Sequence, residues 1–267
     1  MRKQRNAAAG PQAKALGLGI SGIVLFFLIW EATPRLGLVS DRYLPPASEV
    51  LVRLGQYLTE AAFWRDVADT MTSWALGLLI ATVAAIVVGL IIGSSRFLRR
   101  ATHTTIEFLR PIPSVALIPL AVLIFGTSIE STLLLVVYAS FWQVLLQLLY
   151  GIADVDAVAN DTAKSYGLGR LARVRYVIWP TALPYLMTGL RLAAAVALIL
   201  AITAELIIGT PGLGKQIALT QSGGAISSMY ALVLATGMIG VLINLAARIV
   251  EKRVLSWHPS VRGEVVL

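Results

Sequence analysis

The sequence predicts an all-α membrane protein with six transmembrane helices, and three observations carry that expectation. Of 267 residues, 57% are hydrophobic and only 13% charged, whereas a soluble domain carries about a quarter charged residues. Too little polar surface remains to coat a water-soluble globule. The mean hydropathy is +0.80, and the apolar residues gather in runs of the ~20 residues needed to cross a bilayer. Lys and Arg collect in alternate connections between those runs. The apolar richness excludes disorder. The absence of cysteine excludes disulfides, thiolate zinc sites and iron–sulfur clusters. Two histidines, His103 and His258, are too few for a histidine-rich site, so no metal is expected.

The first apolar run, 15–32, follows Arg2, Lys3, Arg5 and Lys14. That layout also suits a secretory signal. Against cleavage, Phe26, Phe27 and Trp30 crowd its end and no small-x-small site follows cleanly, so it reads as a retained helix. A polar stretch, 34–69, comes next. Within it Ser48 reads as the N-cap of a mildly amphipathic segment, its hydroxyl satisfying a free helix-end amide. The second span is 71–93. The third, 111–129, is uncharged, and Pro111, Pro113 and Pro119 should bend or unwind it. The fourth is 131–153. A charged connection, 154–175, separates it from the fifth, 183–208, which contains Arg191 and Glu205. The sixth is 228–247, followed by a basic tail. Residues 1–14 and 254–267 are then tails around a membrane domain, 15–253.

Charge sets the orientation. Arg96, Arg99 and Arg100 follow the second span, Lys164, Arg170, Arg173 and Arg175 the fourth, and Arg248, Lys252 and Arg253 the sixth. The loops after spans three and five hold only Lys215 between them. By the positive-inside rule both termini are cytoplasmic. The net charge of +8 is accordingly topogenic and meets anionic lipid, and no nucleic-acid partner is expected.

Two signals resemble chemistry without supplying it. Gly209-Thr-Pro-Gly-Leu-Gly214-Lys215-Gln216 nearly spells a phosphate-binding loop but lacks the hydroxyl residue that ligates magnesium. A membrane helix precedes it where a strand is needed, so Gly212 and Gly214 read as part of an outer glycine-rich loop. Gly89 and Gly93 share one face of the second span, which permits close helix approach within the bundle. No Ser-His-Asp set, metal-ligand helix motif or pair of membrane-embedded acids is present, so a membrane enzyme has no machinery.

The connection after span four is the informative segment. Acids Asp154, Asp156 and Asp161 come early and Lys164 and Arg170 late, the order a helix dipole favours. Gly167 stands where a helix ends in a left-handed residue, and Pro180 and Pro184 mark where the next helix should begin. A short helix, a glycine break and a second short helix are expected to project from the membrane. Asp161-Thr162-Ala163-x3-Gly167, nine residues, then Val177-Ile-Trp179-Pro180 resembles the EAA loop of bacterial ABC importer permeases, Glu-Ala-Ala-x3-Gly-x9-Ile-x-Leu-Pro. Asp161 stands for the glutamate, Thr162 for the first alanine, Val177 for the isoleucine and Trp179 for the leucine. Tyr43-Leu-Pro-Pro-Ala-Ser-Glu-Val50, Leu109-Arg-Pro-Ile-Pro-Ser-Val-Ala-Leu-Ile-Pro119 and Ala204-Glu205…Gly212-Leu-Gly214 are similar to the nitrate/sulfonate/taurine subfamily.

The resemblance implies a type I importer permease of the bacterial inner membrane that is not itself an enzyme. Two copies, expected as a homodimer, would work with two ATPase subunits and an extracytoplasmic solute-binding protein. ATP and magnesium would sit on the ATPase, with no cofactor on this chain. Asp161, Thr162, Ala163, Gly167, Leu168, Gly169, Val177 and Pro180 would contact the ATPase. Its closure would switch the permease pair between inward-open and outward-open states. The expected solute is a small anion such as a sulfonate, taurine or nitrate. Arg191, seven residues beyond Pro184, would lie about 10 Å into the fifth helix. At that depth an arginine marks a pathway, unless it snorkels to the headgroups or pairs with Glu107. Arg110, heading the third span, and Glu205 are the companion pathway candidates. The competing expectation is a self-sufficient ion-coupled carrier or channel, which would transport without ATP.

Overall fold

Backbone amides inside a bilayer must be satisfied within their own segment, which makes helices of long apolar runs. The computed structural model describes residues 9–257, and it holds no strand among them. Arg2, Lys3, Arg5 and His258 lie outside the described residues. The helices are α1 (Ala9–Arg35), α2 (Ala47–Tyr57), α3 (Ala61–Gly93), α4 (Arg96–Leu109), α5 (Ile118–Phe125), α6 (Ile129–Ala153), α7 (Ala157–Ser165), α8 (Arg170–Arg173), α9 (Trp179–Ile208), α10 (Leu213–Ser222) and α11 (Ile226–Val254). Five stretches are long and apolar enough to cross a membrane: most of α1, then α3, α6, the continuous helix Arg170–Ile208, and α11.

The sixth expected span takes another form. The prolines bend and unwind it as expected, but the bent pair begins at Arg96, before residue 111. A 3₁₀ turn (Ser114–Leu117) leads into the eight-residue α5, and this pair meets α4 at 80°. Pro111 and Pro113 contribute no amides at the corner, and Gly126, at φ 69°, ends α5. α4 itself is amphipathic, with Arg96, Arg100, His103 and Glu107 on one side and Phe97, Ala101 and Phe108 on the other.

Two further expectations are corrected. Ser48 does not cap α2. The helix starts at Ala47 after Pro46, and the Glu31 carboxylate of α1 accepts from the Ser48 amide (2.8 Å) and hydroxyl (2.9 Å). Nor do Pro180 and Pro184 start the fifth span. The helix begins at Arg170 and runs through both prolines to Ile208. A widened π-turn, Val174–Ile178, precedes Pro180, whose ring has no amide for the preceding turn and would clash with it in a regular α-helix.

α6 lies at the centre, packed between α3 and α9. Lipid offers no hydrophobic drive between helices, so close approach of small residues has to supply the contact. α3 provides Gly77, Ala81, Ala85 and Gly89 at four-residue spacing, and α9 provides Ala193, Ala197, Ala201 and Ala204. Both stripes meet buried Leu135, Val136, Leu145 and Leu148 of α6. A Cβ at Gly89 would lie 2.7 Å from Leu148 Cδ2, which confirms the packing role. Leu148 is fully buried and has little room to turn away. Gly89→Ala should therefore lower the stability of the bundle by about 1–3 kcal/mol, read as a reduced melting temperature with hydrogen exchange in the 154–178 connection unchanged.

Candidate functional site

Geometry builds the connection between α6 and α9 into a projecting loop. Asp156 caps α7, its carboxylate accepting from the Val158 amide at 2.9 Å. The nine-residue helix ends at Ser165, and Gly167 follows its cap residue with φ 76°. The Leu168 amide donates to the Ala163 carbonyl (3.0 Å) and the Gly167 amide to Lys164 (2.9 Å). These are the two bonds of a Schellman terminus, which needs the left-handed residue that glycine supplies. Gly169, extended at φ −63° and ψ 168°, then opens α8. Arg173 donates to the Asn160 side chain at 3.2 Å and ties α8 back to α7.

Sequence-predicted residues Asp161, Thr162, Ala163, Gly167, Leu168 and Gly169 all come together on this projection, with Val177 in the π-turn and Pro180 just beyond it. Ala163 is buried and Leu168 half-buried, so these two hold the turn together. Asp161 is exposed and joined to Lys164 at 2.6 Å. That bond and the Lys164 charge hold the Asp161 carboxyl below the ordinary carboxylate range. The sequence reading missed Tyr166, just before Gly167, and Leu171, two residues after Gly169, which are 82% and 85% exposed. Their signal was available: both are large apolar residues close to a glycine in a charged segment.

At the opposite end of α9 a second cluster closes the outer glycine-rich loop. Glu205 is fully buried. Its Oε2 accepts from the Thr70 hydroxyl (2.8 Å) and the Gly214 amide (2.9 Å), while Thr70 Oγ1 accepts from the Leu213 amide (3.0 Å). Gly212 and Gly214 are glycines because a Cβ on the first would strike the Glu205 carboxyl, and on the second the Ile202 carbonyl. The resemblance to a phosphate loop thus has a physical account. The amides at the start of α10 that would cradle a phosphate are filled by the chain's own Thr70 hydroxyl and Glu205 carboxylate. Thr70, the centre of this lock, carried no signal in the sequence.

The three candidate pathway charges do not share a site. Glu205 and Arg191 are fourteen residues apart on one helix, roughly 21 Å. Arg191 donates to Glu251 of α11 at 3.1 Å, not to Glu107, which lies 3.4 Å from His103. Because the continuous helix starts at Arg170, Pro184 is not an end from which the depth of Arg191 can be counted. Arg110 is exposed at the end of α4. Among the described residues no group of three His, Asp or Glu is placed to hold a metal.

The family described as the binding-protein-dependent transport system inner membrane component matches residues 85–256. The chain is 32% identical over 260 residues to the taurine transport system permease protein TauC of Escherichia coli (strain K12), covering 94% of each chain. It is 25% identical over 201 residues to the nitrate import permease protein NrtB of Leptolyngbya laminosa, covering 75% of this chain and 72% of that one. A solved structure of a bacterial alginate ABC transporter, in complex with an alginate pentasaccharide-bound periplasmic protein, superposes with a TM-score of 0.61 at 17% identity. That match covers 94% of this chain and 98% of the other. The fold is that of the type I ABC importer permeases. In such importers ATP is hydrolysed on a separate subunit, so the chain is a permease and not an enzyme. With its apolar helices, its projecting loop and this match over most of its length, the chain belongs to the binding-protein-dependent family of inner-membrane transport permeases.

Proposed function

We propose that this chain is the membrane half of an ATP-driven importer of a small anion such as a sulfonate, taurine or nitrate. It works as a homodimer with two ATPase subunits and receives solute from an extracytoplasmic binding protein. The observation that carries the reading is the projecting loop. The Schellman-terminated α7 exposes Asp161 and Tyr166, and α8 after it exposes Leu171, a surface suited to a cleft on a soluble partner. The Lys and Arg distribution assigns that loop and both termini to the cytoplasm. Closure of the ATPases would drive the two permease copies between inward-open and outward-open packings. The named relatives support the solute class, since one carries taurine, a sulfonate, and one nitrate. Arg110, exposed where α4 gives way to the broken helix, is the charged side chain we assign to the solute path. Discontinuous helices line cavities rather than lipid.

Two measurements test this reading. Arg170→Cys on the cysteine-free chain should react with an impermeant maleimide only from the cytoplasmic face. Proteoliposomes holding the permease, its ATPase and the binding protein should take up labelled taurine, alkanesulfonate or nitrate only with ATP at the loop face. Labelling of residue 170 from outside overturns the orientation. Uptake by the permease alone, without nucleotide, returns the protein to the carrier reading.

A further inference from the structure

A groove between α9 and α11, of about 680 Å³, is lined by Leu198, Ile199, Ile202, Val241, Gly237 and Gly240, with Arg191, Asn244 and Arg248 at one end. Ile199 and Val241 are both 60% exposed, so the groove opens on the flank of the chain. It exists because α11 carries glycine at 237 and 240. A Cβ at Gly237 would meet nothing within 4 Å, and one at Gly240 would meet Leu198 at ordinary contact distance. Neither glycine is needed for helix packing.

Depth gives the charged end its meaning. Arg191 lies 17 residues before the outer end of α9 at Ile208, roughly 26 Å. Arg248 lies 22 residues beyond the outer end of α11 at Ile226, roughly 33 Å. With a hydrocarbon core of about 30 Å, both arginines stand at the opposite headgroup boundary. Glu251 partly neutralises Arg191, while Arg248 is exposed. The groove therefore pairs an apolar trough of acyl-chain character with a net cationic end at headgroup level and an amide beside it. An arginine at such a boundary attracts anionic lipid, and basic clefts between membrane helices hold acidic headgroups.

We propose that this groove binds one anionic phospholipid of the cytoplasmic leaflet. Its phosphate engages Arg248 and Arg191 beside Asn244, and an acyl chain lies over Gly237 and Gly240 against Ile199 and Val241. The inference rests on the cytoplasmic placement of the α11 end, but needs neither uptake nor the coupling loop.

The test uses the full chain purified from nanodiscs of equimolar phosphatidylglycerol and phosphatidylcholine, with bound lipid counted by native mass spectrometry. The wild type should retain one phosphatidylglycerol in preference to phosphatidylcholine. Arg248→Gln should reduce that preference roughly fivefold, about the attraction of one basic side chain for an anionic surface. Gly237→Phe, which fills open space without disturbing a neighbour, should remove the retained lipid of either kind while the melting temperature holds. Equal retention of the two lipids, or an unchanged preference in Arg248→Gln, overturns the proposal. Displacement of the lipid by millimolar taurine or nitrate reassigns the groove to the transported anion. A dimer whose second copy shields residue 237 from a cysteine reagent, with no lipid retained, assigns it to the partner permease. Because none of these readouts requires transport, an orientation or coupling failure is separately visible in the residue-170 labelling.

Discussion

Gly167→Trp is expected to leave the membrane helices inserted while weakening ATPase co-purification and abolishing ATP-dependent uptake. Two separate effects combine at this position. The backbone sits at φ 76°, where any residue with a Cβ loses about 1–2 kcal/mol relative to glycine. No neighbour within the chain lies within 4 Å of a Cβ built there, so the indole would project outward, into the space we assign to the ATPase cleft. Gly167→Asn separates the two, because asparagine tolerates the left-handed region and adds little bulk; it should retain most uptake. Asp161→Lys should act in the same direction as the tryptophan but more mildly. It loses the 2.6 Å bond to Lys164 and places a cation in the body of α7. Pull-down of the ATPase and proteoliposome uptake measure all three variants. Normal transport by Gly167→Trp with a normally bound ATPase would remove this loop from the coupling role.

Glu205→Ala should give the largest loss of stability, about 2–4 kcal/mol, from two buried donors left without an acceptor. The substitution strips the Gly214 amide and the Thr70 hydroxyl of their shared acceptor and leaves a cavity beneath the outer loop. Gly214→Ala attacks the same junction from the other side. Its methyl would press on the Ile202 carbonyl and stand 2.8 Å from the Leu206 amide nitrogen, and both are backbone of α9 that cannot swing away. Each variant should melt at a lower temperature in detergent and become protease-sensitive between residues 209 and 214. Glu205→Gln, of nearly equal shape, should retain most of the lost stability. If Glu205→Ala melts like the wild type, the outer loop is held by other contacts, Thr210 with Thr132 at 3.0 Å first among them.

Much of this architecture was legible because membrane physics writes it in blocks. Runs of about twenty apolar residues specify the spans, and α6 ends at Ala153 as its hydropathy does. Gly167 was legible for a local reason, since a helix terminus of this kind is decided by six consecutive residues. What sequence reading missed depended on distant partners. Ser48 carries the side chain of an N-cap, but Glu31, seventeen residues earlier, reaches its amide first. Pro180 has the look of a helix start, yet a widened turn absorbs it in mid-helix. Thr70 is one threonine among many until α10 folds back and presents the Leu213 amide to it. Arg191 looked deep because its depth was counted from Pro184, which is not an end.

The unbroken run from Arg170 to Ile208, 39 residues, is about 58 Å long at 1.5 Å per residue. Its foot belongs to the projecting loop and its head carries Glu205. Such a rod converts angle into distance: a 5° tilt about Pro184, 24 residues and roughly 36 Å below Ile208, sweeps the head through roughly 3 Å. The π-turn and the two prolines place the compliant joint at the foot, while Ala193, Ala197, Ala201 and Ala204, all buried, brace the shaft against α6. A tilt of that shaft about the joint reaches the Glu205 cluster as lateral travel, with no relay of intervening side chains.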